Sequence, residues 1–407
     1  MRRIFFALMI TAFSMHAVFR TNVLQPYNII LQPDPLRETR FSFQVGYEGI
    51  VAAQGFSACD SGHNVLQLFQ CEQDALAALK GFGPETEAGQ LAQRFNIDDA
   101  NGTHGLFVPH GDLIIPLNLM LGIQGRLAHN VSLHAYMPVI YAELKDVCWR
   151  EKNEHITFED NSVSDLLCNV AQLGGMNLFN GWKRAGCGDA VIFFKWQNDF
   201  TQIKPLLRTV RLSVRAGFNL PTGAKEDICD LLGLPFGYDQ GLGAYFAGFL
   251  GLHFIHNVRF MIDLEFLQLF GNTRTRRIKT DNTQTDLLLI AKDRVYVDPG
   301  FTQQYTFMLQ KRSCWRGLNA ALYYQYFKHN DDTYYPTTNF GNFAIINDAQ
   351  SVQDYTTHQF VFKLDYEFNQ NETDCSRPNI ALFGKYGFNG KRAIVTSSVG
   401  LQFTYAF

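Results

Sequence analysis

The most constraining feature of this sequence is an alternation of apolar and polar residues that recurs in segment after segment of the chain. In the first such segment, polar or small residues alternate with Phe41, Phe43, Val45 and Tyr47. A period of two places the two kinds of side chain on opposite faces of a β-strand. Each strand must therefore lie between two different environments, and a mainly helical fold is incompatible with the pattern.

About twelve segments show the alternation, an even number as expected for bacterial single-chain barrels. They begin near residues 41, 113, 131, 190, 210, 242, 258, 301, 318, 360, 380 and 394. Short turns, near residues 129, 200, 256, 314 and 375, alternate with long polar loops, at about 54–110, 145–188, 221–240, 271–293 and 329–352. We expect an all-β fold, a transmembrane antiparallel up-and-down β-barrel of about 12 strands with long outer loops. The last outer hairpin, near Asn389, is expected to be short.

Charged residues in the middle of the polar faces distinguish this pattern from that of a soluble barrel, which directs its apolar face inward. The faces rich in Phe, Tyr and Leu are expected to contact lipid. Inward charges either select solutes by charge or pair into a network that fills a modest lumen, and both interpretations stay open. The predicted pore-lining residues are Arg126, Arg211, Arg215, Arg259, Asp263, Glu265, Lys363, Asp365 and Glu367.

The beginning of the chain predicts export. Residues 1–17 have a basic start and an apolar run, which predicts a secretory signal peptide cleaved near residues 14–20. An N-terminal anchor helix is the alternative, although the apolar run is short for a span of about 20 residues. Residues 18–40 are interpreted as a periplasmic lead-in, and residues 41–407 as the barrel.

The end of the chain predicts assembly into the bacterial outer membrane. An exposed aromatic strand can add to the sheet edge of the barrel assembly machinery before the barrel closes. The residues interpreted as this assembly signal are Gly400, Phe403, Tyr405 and Phe407. We therefore expect outer-membrane lipid, the assembly machinery and a small-molecule solute as partners. The net charge of −3 gives no reason to expect nucleic acid.

The eight cysteines have no close CxxC spacing, so we expect disulfides in an exported chain rather than a metal site. All are expected in loops or turns. Cys59 and Cys71 bracket a short loop and are candidates for one bridge. Cys148, Cys168, Cys187 and Cys229 fall in outer loops and are candidates for stapling these loops together. Cys314 and Cys375 fall at predicted periplasmic turns and are candidates for a bridge between neighbours around the wall. The disulfide candidates are Cys59, Cys71, Cys148, Cys168, Cys187, Cys229, Cys314 and Cys375.

The first long loop is predicted to be partly helical. Apolar residues recur at helical spacing from Val65 to Leu79, and a second helix, Glu85 to Phe95, follows Pro84. These helices are expected to constrict the pore or to cap its rim.

The sequence lacks the common motifs of enzyme chemistry. It contains no GxSxG, HExxH or Walker-type glycine-rich loop, so we expect neither an enzyme nor a cofactor. An outer-membrane hydrolase and a structural or adhesive barrel stapled by disulfides are the alternatives to a channel for passive diffusion.

The run from Val210 to Gly223, which ends in GFNLPTG, resembles a strand-to-loop motif of the meta-pathway phenol-degradation family of outer-membrane transporters. These are relatives of the long-chain fatty-acid transporter barrels. The motif covers about a dozen residues, while signal peptide, barrel and terminal Phe agree over most of the chain; the eight cysteines depart from the family. The resemblance implies passive uptake of small hydrophobic or aromatic compounds and assigns no binding residue. The inward charges by themselves favour a polar-solute porin.

Overall fold

The fold is that of a computed structural model. It describes residues 40–58, 62–95, 105–152, 162–315, 317–338, 341–368 and 377–407. The predicted signal peptide and nearly all of the lead-in lie outside the described residues, as do Cys59 and Cys375.

Twelve antiparallel strands form a closed barrel, which confirms the predicted fold class. Each strand pairs with the next along the chain, and the last pairs with the first, from Ser42 and Ala406 to Phe56 and Ala393. In chain order the strands are β1 (Phe41–Phe56), β2 (Leu106–Ala128), β3 (Val131–Glu151), β4 (Ala190–Thr201), β5 (Leu207–Leu220), β6 (Gly243–Phe254), β7 (Val258–Leu269), β8 (Thr302–Trp315), β9 (Leu318–His329), β10 (Tyr355–Glu367), β11 (Arg377–Lys391) and β12 (Ala393–Ala406).

The outer face of the wall is apolar and the inner face is largely polar. Phe43 is 41% exposed, whereas its neighbour Gln44 is 2% exposed. On the adjacent β12, Phe403 is 43% exposed and Gln402 is 2% exposed. Exposed aromatic rings beside buried amides are stable only where the outside is apolar, which is the arrangement of a membrane-spanning barrel.

The two ends of the barrel differ, as predicted. At the turn end, the short connections within the described chain are 129–130, 202–206, 255–257 and that at Gly317. The fifth predicted turn, near residue 375, lies outside the described residues. At the loop end, the long connections run over 57–105, 152–189, 221–242, 270–301 and 330–354. The last connection at the loop end is the single residue Arg392, whose φ is 48°.

The loops carry their own secondary structure. The helices are α1 (Glu87–Arg94), α2 (Ser162–Gly174) and α3 (Phe343–Asn347), with 3-10 turns at Val65–Gln67, Ala77–Leu79, Ile255–Asn257 and Asp286–Leu288. Short strands occur at Gln73–Asp74, Trp182–Cys187, Thr273–Arg277, Lys292–Asp298 and Thr333–Pro336, and the last three form a separate sheet. None of the described helices has the length and apolar character needed to cross a membrane.

The first loop is partly helical, but its first predicted helix is wrong. α1 lies within the predicted second helix and begins after Thr86, whose hydroxyl accepts from the Gly89 N–H at 3.0 Å. The apolar run before it forms two 3-10 turns instead. Asp74 lies between them, and its carboxylate accepts from the N–H groups of Leu76 (3.0 Å) and Ala77 (3.1 Å). These bonds compete with helical ones and interrupt the helix.

The predictions for the cysteines need correction. Cys148 and Cys314 lie in β3 and β8, because these strands extend further than the alternation indicated. Cys168 and Cys187 lie within the outer loop at 152–189, in α2 and in a short strand. No disulfide joins two described cysteines. The predicted stapling of the outer loops through Cys148, Cys168, Cys187 and Cys229 is therefore not formed: these residues lie on different elements and are exposed. The predicted Cys59–Cys71 and Cys314–Cys375 pairs each include a residue that is not described.

The wall contains a break in its hydrogen-bond ladder between β11 and β12. Their pairing ends at Lys385 and Ser398, although both strands continue to the loop end, where β11 pairs with β10 and β12 with β1. Bulges at Val51 and Phe388 flank the break. Residues Ala393–Thr396 of β12 are at most 3% exposed, so protein rather than lipid covers this part of the strand.

A buried ion pair next to the break is expected to stabilise the barrel. Glu48 of β1 accepts from Lys385 of β11 at 2.8 Å and also from Ser398. Glu48→Ala leaves a buried ammonium unpaired, which typically costs about 3–5 kcal/mol. We expect a lower urea midpoint for unfolding, measured by the loss of heat-modifiable migration on electrophoresis.

The matched control removes an ion pair whose lysine is exposed. Lys183 is 73% exposed and lies 3.5 Å from Glu143, and such pairs contribute at most about 1 kcal/mol. Lys183→Ala should leave the midpoint nearly unchanged. Equal midpoints for the two variants would show that the stability of the barrel does not depend on Glu48.

Candidate functional site

A four-charge cluster crosses the inner face at mid-barrel. Arg215 is 1% exposed and donates to Asp263 at 2.6 Å and to Glu265 at 3.2 Å. These acids lie two strands away, and Arg215 reaches them because the residue between is the small Ala247, which pairs with both Arg215 and Glu265. Lys195 pairs with Arg215 on the other side, so two cations lie on one side of Ala247 and two anions lie on the other.

The remaining predicted pore-lining residues also have polar partners or lie buried. Arg211 binds Asp199 at 2.8 Å, Lys363 donates to Gln402 at 3.1 Å, Asp365 accepts from Asn319 at 2.7 Å and Glu367 accepts from Arg312 at 3.0 Å. Arg259 is 9% exposed. Arg126 lies at the turn end, where it donates to the carbonyls of Ala128 (3.3 Å) and His129 (3.1 Å). The structure thus brings three of the nine predicted residues together at mid-barrel, and pairs four others elsewhere.

An aromatic belt, formed by His134, Tyr136, Phe193 and Tyr245, lies against the mid-barrel charges, and the sequence pattern did not predict it. The guanidinium of Arg215 lies 5.9 Å from the ring centroids of both Phe193 and Tyr245, and His134 stacks on Phe193 at 4.9 Å. Phe193 is on the inner face, in phase with Lys195. The alternation predicts this position, but the apolar residues on both sides of Phe193 hide the change of face. The belt thus adds aromatic surface to the half of the lumen nearer the loop end, which is called the upper lumen.

A small inner cavity of about 30 Å³ lies within the upper lumen. Its lining includes Asn219, Tyr238, Tyr245, Glu265, Gln304 and Phe327. Within the described chain, the Asn219 Oδ1 and Gln304 Nε2 atoms are buried without a hydrogen-bond partner. A cavity needs roughly 10–15 Å³ for each water, so this space suits one or two waters and is too small for a ring.

A larger outer cavity of about 160 Å³ lies among the loops. Its apolar lining includes Leu68, Phe69, Met176, Leu178, Leu231 and Leu289. Four long loops contribute these residues, so sequence periodicity carries no signal for the cavity. An apolar cavity of roughly 150 Å³ can bind benzene. The outer cavity is therefore large enough for a single-ring compound.

Charged groups close one side of the outer cavity. Asp239 is 1% exposed and accepts from Arg274 and Arg276. Arg276 also donates to Glu226 at 2.7 Å, and the Glu226 N–H donates to Asp239 at 2.8 Å. Among the described residues, no three His, Cys, Asp or Glu side chains form a group that could hold a metal. The charges on this side are thus held mainly by one another.

A single turn separates the two cavities. Tyr238 lines the inner cavity, and the next residue, Asp239, lines the outer one. The turn belongs to the 221–242 loop and follows the GFNLPTG motif closely. The only motif that suggested a family therefore leads into the partition between loops and lumen.

Comparison with known proteins gives distant structural likenesses. An outer-membrane channel from Pseudomonas putida F1 matches with 9% identity and a TM-score of 0.47, over 92% of this chain and 99% of its own. A FadL homologue from Pseudomonas aeruginosa matches with 8% identity and a TM-score of 0.30, over 97% and 99%. The toluene transporter TodX from Pseudomonas putida matches with 11% identity and a TM-score of 0.30, over 97% and 95%. At these scores the likenesses do not assign a function to this chain. No protein-family model and no curated protein matches the sequence, so the phenol-degradation resemblance stays a prediction.

Filling the outer cavity should abolish ring binding there. Met176 is a flexible, partly buried side chain on its wall, so Met176→Trp occupies the space with little disturbance elsewhere. With fluorobenzene as probe, fluorine NMR should show a protein-bound resonance, distinct from micelle-dissolved ligand, that Met176→Trp removes. Met176→Leu, which keeps the volume nearly unchanged, should retain it. A bound resonance that persists in the tryptophan variant would place the ligand elsewhere.

Proposed function

We propose that this chain is an outer-membrane channel through which small apolar solutes of about one ring diffuse passively. The observation that carries the proposal is the stacking of two cavities from the loops into the lumen. The outer cavity is ring-sized and has an apolar wall opposite its charged side, and the inner one lies directly beyond a single turn.

The pairing of the inner charges supports this function better than it supports the function of a wide, water-filled pore. Arg211, Arg215 and Asp263 are at most 8% exposed and bind one another or neighbouring side chains. Charges held in buried pairs present little net field to a passing ion, whereas an apolar entrance favours an apolar solute. The nine predicted residues are thus proposed as the wall of a narrow path.

The termini support an orientation with the turn end in the periplasm. Phe407 exchanges backbone hydrogen bonds with Phe41 at 3.0 and 2.9 Å, and their rings lie 5.4 Å apart at the turn end. We propose that this aromatic end directs insertion by the barrel assembly machinery, after removal of an N-terminal signal peptide. The loops then face outward and receive solute first.

A polar-solute porin is the second candidate, because the turn-end half of the lumen is lined with amides, hydroxyls and charges. Buried residues there include Gln44, Gln310, Asn319, Gln402 and Thr404. If the upper lumen opened widely, this hydrated turn-end half would admit sugars.

Uptake into vesicles with lipopolysaccharide in the outer leaflet separates the two candidates, because this leaflet slows apolar solutes that cross phospholipid freely. We expect the protein to accelerate entry of labelled toluene at pH 7.5 by tenfold or more over protein-free vesicles. Entry of arabinose should change little, and planar bilayers should show only small conductance steps. Fast arabinose entry with large ohmic steps would support the porin, and a protein inactive with both solutes would refute the channel.

A further inference from the structure

We propose that the turn Tyr238–Gly241 is a gate between the outer cavity and the lumen, and that buried Asp189 sets the balance between its closed and open positions. The inference rests on the proposed channel function and adds its regulation.

The first argument is the position of the turn. Tyr238 packs against the aromatic belt and lines the inner cavity, while Asp239 lines the outer cavity. The turn therefore lies between the two cavities, and in the proposed gate a solute that moves from one cavity to the other passes it. The inner cavity of about 30 Å³ cannot accept a ring while Tyr238 occupies its present place.

The second argument is that the turn is held from outside. The Gly241 N–H donates to the Tyr238 carbonyl at 2.8 Å, and Asp239 and Gln240 between them have φ values of 52° and 58°. Two positive φ values define a type I′ turn, in which glutamine is unfavourable. The local sequence therefore does not determine this conformation, so contacts between the turn and other residues must stabilise it.

The contact that holds the inner side of the turn is Asp189, which lies in the outer loop immediately before β4 and is fully buried. Its carboxylate accepts from the N–H groups of Tyr238 (2.6 Å) and Gly223 (2.8 Å), and from the Asn219 amide at 3.4 Å. Asn219 also donates to the Gly241 carbonyl. Both ends of the turn are thus attached to the end of the barrel wall.

The turn in its present position is also what encloses Asp189. A Cβ at Gly237, whose φ is 97°, would lie 2.8 Å from the Asp189 nitrogen and 2.9 Å from its Oδ2. A Cβ at Gly223 would lie 2.8 Å from Oδ1. The loop backbone therefore approaches this carboxylate so closely that only glycine fits at these two positions. Movement of the turn would admit water to Asp189.

The charge of Asp189 opposes this closed position. Burial raises the pKa of Asp189 to about 7, against the bonds from Gly223, Tyr238 and Asn219, and the nearby Asp239 adds to the rise. The other groups facing it are the Tyr238 phenol and, around Asp239, the cations Arg274 and Arg276. In an open, hydrated position the pKa would return to about 3.9.

The sign of the pH effect follows from linkage. The closed position binds the proton of Asp189 more tightly, so acid favours closure and a rise in pH favours opening. The open-to-closed ratio should rise nearly tenfold from pH 5 to 6 and about 50-fold from pH 5 to 7, and level off above the closed-state pKa.

Two variants of Tyr238 test the position of the gate. Tyr238→Ala removes the ring between the cavities, so toluene entry at pH 5, where the gate is closed, should rise at least fivefold. Tyr238→Phe keeps the ring and should behave as the wild type. Entry unchanged in Tyr238→Ala would show that the solute does not pass this turn.

The pH profile tests the role of Asp189. Wild-type toluene entry should rise tenfold or more from pH 5 to 8 with a midpoint near 7. Asp189→Asn keeps the shape but cannot ionise, so its entry rate should be flat across this range. Asp165→Asn, which removes an exposed carboxylate on α2, should retain the wild-type profile. A pH-dependent Asp189→Asn variant would overturn the assignment.

The outcomes separate the gate from the channel. If no variant transports toluene at any pH, the proposed function fails. If the wild type transports toluene while Tyr238→Ala and Asp189→Asn match it at every pH, the channel stands and the gate does not.

Discussion

The structure depends on the need to satisfy every backbone hydrogen bond of a wall that faces lipid. Lipid offers no partner to an exposed N–H or C=O group, so the strands must form a closed cylinder. Pairing of β12 with β1 over the length of β1 achieves this closure. The break between β11 and β12 respects the same requirement, because Ala393–Thr396 bury themselves under protein where the ladder stops.

Closure with twelve strands also decides what the interior can be. A cylinder of this size leaves little space once side chains point inward, and charged groups without water must pair. The row of Lys195, Arg215, Ala247 and Glu265 shows how: one small residue lets a long cation reach an acid two strands away. The lumen is therefore a packed layer of paired charges and aromatic rings, beneath a cap of apolar loops that includes Leu66, which is fully buried.

Alternation revealed strands, faces, turns and loops because each is a local property of the chain. It could not reveal partners, since Arg215 and Asp263 are 48 residues apart and their contact depends on the register of three strands. The outer cavity was still less accessible: Phe69, Met176 and Leu289 come from separate loops without a shared period. The sequence did not predict the two 3-10 turns, because the side chain of Asp74 interrupts a helix that the spacing of apolar residues indicates. Loop cysteines were misplaced where strands such as β3 extend beyond the alternating segment.

These constraints indicate where a barrel of this kind can move. The wall is tied by its ladder, and the mid-barrel charges are tied by their pairs, so motion at low cost belongs to the loops. The 221–242 loop lies between the cavities and is held by side chains rather than by a sheet. Its inner anchor is a buried carboxylate, which is costly to keep ionised, and its outer anchor is Asp239, whose charge is balanced by Arg274 and Arg276. Asp239 is paired with two arginines, whereas Asp189 accepts from N–H groups and one amide. The turn can therefore move about Asp239, which would open the lumen while the other loops stay in place over it.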